Sequence, residues 1–503
     1  MRRKKLFSQS LAAGQLFLLG NIVYSLASVP LALSYLSVEE FGLWAVVMQT
    51  ANFLLLLDAG ISSGAGRLLI DVKDRRPCKA YGRMVVTTLS ILSVASLIAL
   101  LAGLSLAKSL VNWMQISPNL SGPAVVMITG QIIIAALTIP ARTVGGCLIA
   151  YGRTDLLNVA FTVSLVASLA TMWLAFRNGA GIYSLLWANG AGAAYTILST
   201  LVHALKRKYI PKRAELAAPT LKDLRNVMGL SHSIFLTQIG GMVLNLSQAL
   251  LLGRFAGLEM VGIWAVGSKL YNLVLQATDK MVQSAGPICS EMWVRNEMLR
   301  FDLRIRQLRQ LTFMAGSIGA ASLIAFNSPF IAIWTGGRVD WNPACNYLLA
   351  LLFFLRVFAA TESFPIVAGK VYNAYRFIPL IEAAVFVCFA AVLIPSNGII
   401  GLLVAAVVSA LAISVPYVAY REASRVGCGQ YKAGLKLSIW AAVCLPPAAA
   451  WLTRHFIAEK ADTPFGVATS LTLVLFSCLP ILLLTLRHIR SSEASFQPSG
   501  TAR

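Results

Sequence analysis

Fourteen long apolar runs, separated by short polar stretches, dominate this 503-residue chain; the first covers 11–35 and the last 465–486. Each comes close to the ~20 residues that carry an α-helix across the hydrocarbon of a bilayer. Only 12% of the residues are charged, where a soluble domain carries roughly 25%. A water-soluble core has no use for so much apolar surface. The runs are continuous rather than alternating, which excludes a transmembrane β-barrel. The expected fold is all-α: a polytopic membrane protein of about 14 transmembrane helices.

The net charge of +22 raises the question of nucleic acid. Its distribution answers it. The segments on one side of the fourteen runs hold 32 Lys and Arg, and those on the other hold six: Lys108, Arg177, Arg254, Arg338, Arg454 and Lys460. This is the positive-inside bias of a membrane protein with both termini in the cytoplasm. The basic start MRRKK leads into the first run without a small-residue cleavage signal, so that run reads as a retained span. Eight cysteines are scattered singly, with no CxxC and no His at metal spacing.

The chain repeats a phrase. LEMVGIWAVG at 258–267 echoes VEEFGLWAVV at 38–47, with Glu39, Gly42 and Trp44 meeting Glu259, Gly262 and Trp264 at an offset of 220. Three further matches keep the order: GAG at 64–66 with SAG at 284–286, Gly146 and Arg153 with Gly369 and Arg376, and GIYSL at 181–185 with GIIGL at 398–402. Together they indicate a duplicated six-span unit. An even number of spans gives both copies the same orientation, so two pseudo-symmetric six-helix lobes are expected, plus two C-terminal helices. The implied domains are 1–226, the first lobe with its following loop; 227–436, the second lobe; and 437–503, two added helices and a tail. In the repeated phrase, glycine is expected to ease entry to the span and tryptophan to anchor at the interface. Thr220 with Asp223 carries an N-cap signal for a short surface helix before span seven.

Polar side chains within spans mark candidate substrate contacts. Asn21, Ser25 and Ser28 share one face of span one, and Asn245 and Gln248, extended by Gln238, share one face of span seven. Such stripes must face protein or water: either a cavity or hydrogen bonds between helices. Charges in the bilayer face the interior or a partner. By depth, Arg356 lies halfway down span ten and Lys269 in the outer third of span eight, neither with a carboxylate at its own level. Unpaired cations draw anions. Asp58, Arg142 and Glu362 lie in the inner third. Arg142 either pairs with Asp58 or, as the counterpart of Glu362 at offset 220, forms a gate with it. Glu382 falls near the inner surface.

No P-loop, GxSxG, HExxH or acidic cluster is present. Neither a cofactor nor a metal is expected, and nothing argues for an enzyme. FGLWAVVMQTANFLLLLDAGISSGAGRLL, with Gly42, Trp44, Leu57, Asp58 and Gly60, and AYGRTDLL after span four, resemble the Wzx-type polysaccharide flippases of the multidrug/oligosaccharidyl-lipid/polysaccharide exporter superfamily. The resemblance covers about 8–420. It implies a bacterial inner-membrane protein that moves undecaprenyl-pyrophosphate-linked oligosaccharides outward by alternating access, without ATP. It also implies a cationic lumen, for which Arg356, Lys269 and Arg142 are the best matches by depth, and a coupling or gating role for Asp58 and Glu362. Implied partners are the lipid-linked oligosaccharide, the bilayer, and polysaccharide polymerase and chain-length machinery. A drug/cation antiporter of the same superfamily, a lipid II flippase and a membrane enzyme of envelope glycan assembly are the alternatives.

Overall fold

A computed structural model describes residues 2–54, 58, 61–73, 79–368, 373–418 and 420. The two predicted C-terminal spans, 437–456 and 465–486, and with them the third predicted domain, lie outside these residues. Every regular element among the described residues is helical. Eight helical stretches are long and apolar enough to cross a membrane. Large apolar side chains are exposed along them, among them Leu106, Val166 and Val392. Such faces are stable against lipid tails and not against water.

The chain divides into two compact units, Met1–Gly262 and Ile263–Arg503. The first begins with α1 (Arg2–Leu33), α2 (Val38–Leu54), α3 (Ile61–Lys73) and α4 (Lys79–Trp113). It continues with α5 (Pro118–Ala150), α6 (Thr154–Arg177), α7 (Tyr183–Lys206) and α8 (Leu221–Phe255). The described residues of span two comprise parts of α2 and α3, with Asp58 between them and outside both. α4 packs on α5, α6 on both α1 and α7, and α8 on α2 and α3. Between helices, Ser96 Oγ donates to the Ala136 carbonyl (2.5 Å) and Asn189 Nδ2 to Gln131 Oε1 (2.8 Å). Hydrogen bonds of this kind hold helices together where apolar burial gives no preference over lipid.

Local chemistry fixes the helix starts. Ser37 and Glu40 form a capping box on α2: Glu40 N donates to Ser37 Oγ (3.2 Å) and Ser37 N to Glu40 Oε2 (2.8 Å). Thr220 caps α8, accepting from Asp223 N at 3.2 Å. The cap lies where the sequence places it, but it opens a continuous 35-residue helix and not a separate surface helix. The amphipathic start simply runs on into the span.

The second unit comprises the end of α9 (Leu258–Gly267), then α10 (Lys269–Ser284), α11 (Gly286–Val294), α12 (Met298–Thr335), α13 (Ala344–Ala368) and α14 (Ile378–Ser409). α12 packs on α13, α10 on both, and α13 on α14. Span eight is broken at Ser268. Spans eleven and twelve are the two legs of α14, which reverses at Gly398 (φ 52°, ψ −125°), a left-handed position that glycine adopts without strain.

The repeated phrase has a structural meaning that its expected role missed. A side chain at Gly42 would strike the carbonyl oxygen of Leu258, and one at Gly262 that of Val38. Adding 220 to Val38 and Gly42 gives Leu258 and Gly262. The two contacts therefore exchange under the 220-residue offset. The glycines are conserved between the copies for backbone approach of α2 and α9, not for chain reversal. Trp264 is buried rather than interfacial, and Trp44 is half-buried.

Candidate functional site

In the first unit, Asp58 lies between α2 and α3 and is 2% exposed. Its Oδ1 accepts from Ser62 N (3.2 Å) and from Ser62 Oγ (2.6 Å), and its Oδ2 accepts from Arg142 Nη1. A buried carboxylate is tolerated only with such compensation. Ser62, the second residue of α3, donates to the carboxylate, and the arginine of α5 neutralises it. Arg142 keeps 40% of its side chain exposed, so the guanidinium is tethered at one edge while its remaining donors stay accessible. Of the two sequence readings for Arg142, the pair with Asp58 is the one formed.

Asn21, Ser25 and Ser28 are half-buried on α1; Ser28 Oγ lies 3.5 Å from the Ser25 carbonyl, and Asn21 has no hydrogen-bond partner among the described residues. On α8, Asn245 is exposed and Gln248 half-buried. The side chain of Gln238 lies outside the described residues.

In the second unit, Lys269 opens α10 directly after a break at Ser268. It is half-buried, and no carboxylate pairs with it among the described residues. A buried amide network supports the break. Asn327 Nδ2 donates to the Gly267 carbonyl (3.1 Å) and to Asn346 Oδ1 (3.0 Å). Trp341 Nε1 also donates to Asn346 Oδ1 (2.8 Å), and Asn346 Nδ2 donates to Ser328 Oγ (2.7 Å). Sequence reasoning missed this network. Its members are neutral and scattered over 80 residues, so neither charge nor periodicity marks them.

Arg356 departs from expectation. It pairs with Glu382 of α14 at 2.8 Å, and Ser414 Oγ donates to the same carboxylate. Glu382 is 1% exposed, so the pair is packed inside the protein. Counting residues along each span left out the reach of a long guanidinium arm. Glu362, 5% exposed, pairs with Arg309 of α12. That arginine sits one residue before the predicted start of span nine and was counted with the loop.

These residues thus form three tethered ion pairs and one lysine without a carboxylate partner. Matching against protein families then identifies the chain. Residues 11–293, more than half of it, match the model described as "Polysaccharide biosynthesis protein". The chain belongs to this family of Wzx-type flippases. No curated protein matches it. Among solved structures, it resembles the lipid II flippase MurJ in an inward closed conformation (TM-score 0.70, 12% identity, 96% of this chain and 99% of that one). It also resembles an inward-facing multidrug resistance MATE transporter of the MOP superfamily (TM-score 0.65, 14% identity, 80% and 94%). A third is a MOP-superfamily transporter from Pyrococcus furiosus described as having a binding pocket of reverse polarity (TM-score 0.56, 15% identity, 83% and 95%). At these identities the likeness is one of fold. The polysaccharide-biosynthesis flippase is accordingly an all-α, multi-pass membrane protein with the fold of MOP-superfamily transporters.

Proposed function

We propose that this flippase moves undecaprenyl-pyrophosphate-linked oligosaccharide repeat units across the bacterial inner membrane, for O-antigen, capsule or exopolysaccharide synthesis. The observation that carries the reading is Lys269. A cation in a spanning segment without a carboxylate partner among the described residues is costly unless an anion visits it. A pyrophosphate is such an anion. Arg142, held by Asp58 yet 40% exposed, offers a second set of donors. Asp58 then positions Arg142 rather than carrying a coupling ion. Arg356 and Glu362 act as halves of ion pairs that break and re-form during alternating access, without ATP hydrolysis. The amides and hydroxyls of half-buried Asn21, Ser25, Ser28 and Gln248 and of exposed Asn245, with Gln238, suit sugar hydroxyls. Both termini face the cytoplasm, and the polymerase receives the product outside.

Mass spectrometry of lipids extracted from a deletion strain tests this. Complete repeat units should accumulate on the carrier lipid while surface polysaccharide disappears. The likeness to the lipid II flippase favours a second reading, in which the peptidoglycan precursor accumulates instead. Intact surface glycan with altered drug tolerance would point to the antiporter.

A further inference from the structure

We propose that the loop between α7 and α8 is a docking surface for anionic phospholipid headgroups of the leaflet it borders. This stands apart from the transported substrate.

The loop is folded. Tyr81 Oη of α4 donates to the Tyr209 carbonyl at 2.9 Å. The Tyr209 ring stacks on Tyr151, with centroids 4.5 Å apart. Arg83 of α4 pairs with Asp223 of α8 at 2.7 Å. A short 3-10 turn, Arg213–Glu215, is closed by Lys212 N donating to Glu215 Oε2 at 3.2 Å. The segment is thereby pinned to the ends of helices that cross the membrane, and stays at headgroup level.

Folding also sorts its charges. Residues 206–229 contain two carboxylates, Glu215 and Asp223. Both are buried, and each is used inward by the contacts just described. Lys206, Arg207, Lys212, Arg213, Lys222 and Arg225 are exposed. The outward face is therefore cationic with no carboxylate of the loop to offset it. Leu221 stands beside Lys222 at 84% exposed, and Leu216 is 43% exposed. Bare leucines among lysines are the composition of a surface that sits at the headgroup boundary, apolar tips inward and cations on phosphates. An acidic protein partner would satisfy the cations and leave Leu221 unexplained.

The test is hydrogen exchange of the full chain in lipid nanodiscs. Peptides covering 206–229 should exchange several-fold more slowly when phosphatidylglycerol replaces part of the phosphatidylcholine. The protection should fade in raised salt, which screens exposed charges. The variant K206Q/R207Q/K212Q/R213Q should lose it, and Leu221→Ser should weaken it. Should the quadruple variant not fold, the wild-type comparison of the two lipids still decides. Equal wild-type exchange in neutral and anionic discs overturns the proposal. If an acidic peptide then gave the protection, the surface would belong to a protein partner.

Discussion

Spans two and eight begin alike and then part. Both open with an acid, a glycine and a tryptophan, and the glycines let the two openings meet backbone to backbone. Asp58 lies between α2, of 17 residues, and α3, while α9 spans 10 residues and ends at a break at Ser268. The first site is held by charge: a carboxylate that accepts from Ser62 and is neutralised by Arg142. The second is closed by neutral amides, Asn327 and Asn346, and presents a lysine without a carboxylate partner among the described residues. The glycine contacts recur under the duplication, while beyond them each copy carries its own polar chemistry.

The contrast can be broken at its strongest point first. Asp58→Ala leaves Arg142 without its partner and the Ser62 donors without an acceptor, and should cost about 3–5 kcal/mol. The thermal midpoint in detergent should fall sharply, and the further change Arg142→Ala should recover part of the loss. Glu382→Gln strands Arg356 in the same way; with Ser414 still able to hydrogen-bond the amide, about 2–3 kcal/mol is expected from the same measurement. Next comes the shared contact. Gly42→Ala overpacks the α2–α9 crossing by about 1–3 kcal/mol, and combining it with Gly262→Ala should cost less than the sum, since one displacement relieves both clashes. Smallest for stability is Lys269→Ala, within about 0.5 kcal/mol of wild type because no ion pair is lost.

Much of this was legible in the chain. Continuous apolar runs marked the helices of the described residues, the Thr220 cap was placed correctly, and the reversal at Gly398 falls between two predicted runs. The Asp58–Arg142 pair was one of two readings at similar depth. What escaped depended on contacts distant in sequence. Glu382 reaches Arg356 although residue counting puts them at different levels. Arg309 stood just outside a predicted span. The break at Ser268 interrupts an apolar run with no proline to mark it, and its support comes from asparagines 59 and 78 positions away. The repeated glycines were read as local features because a contact between copies is invisible until both are folded.

The most direct measurement is the lipid-linked glycan content of a deletion strain carrying Lys269→Ala, read by mass spectrometry beside the wild-type complement, with membrane expression matched. The account predicts a stable, correctly inserted protein and complete repeat units held on the carrier lipid, as in the uncomplemented strain. Clearance of those lipids at the wild-type level, with surface polysaccharide restored, would contradict it.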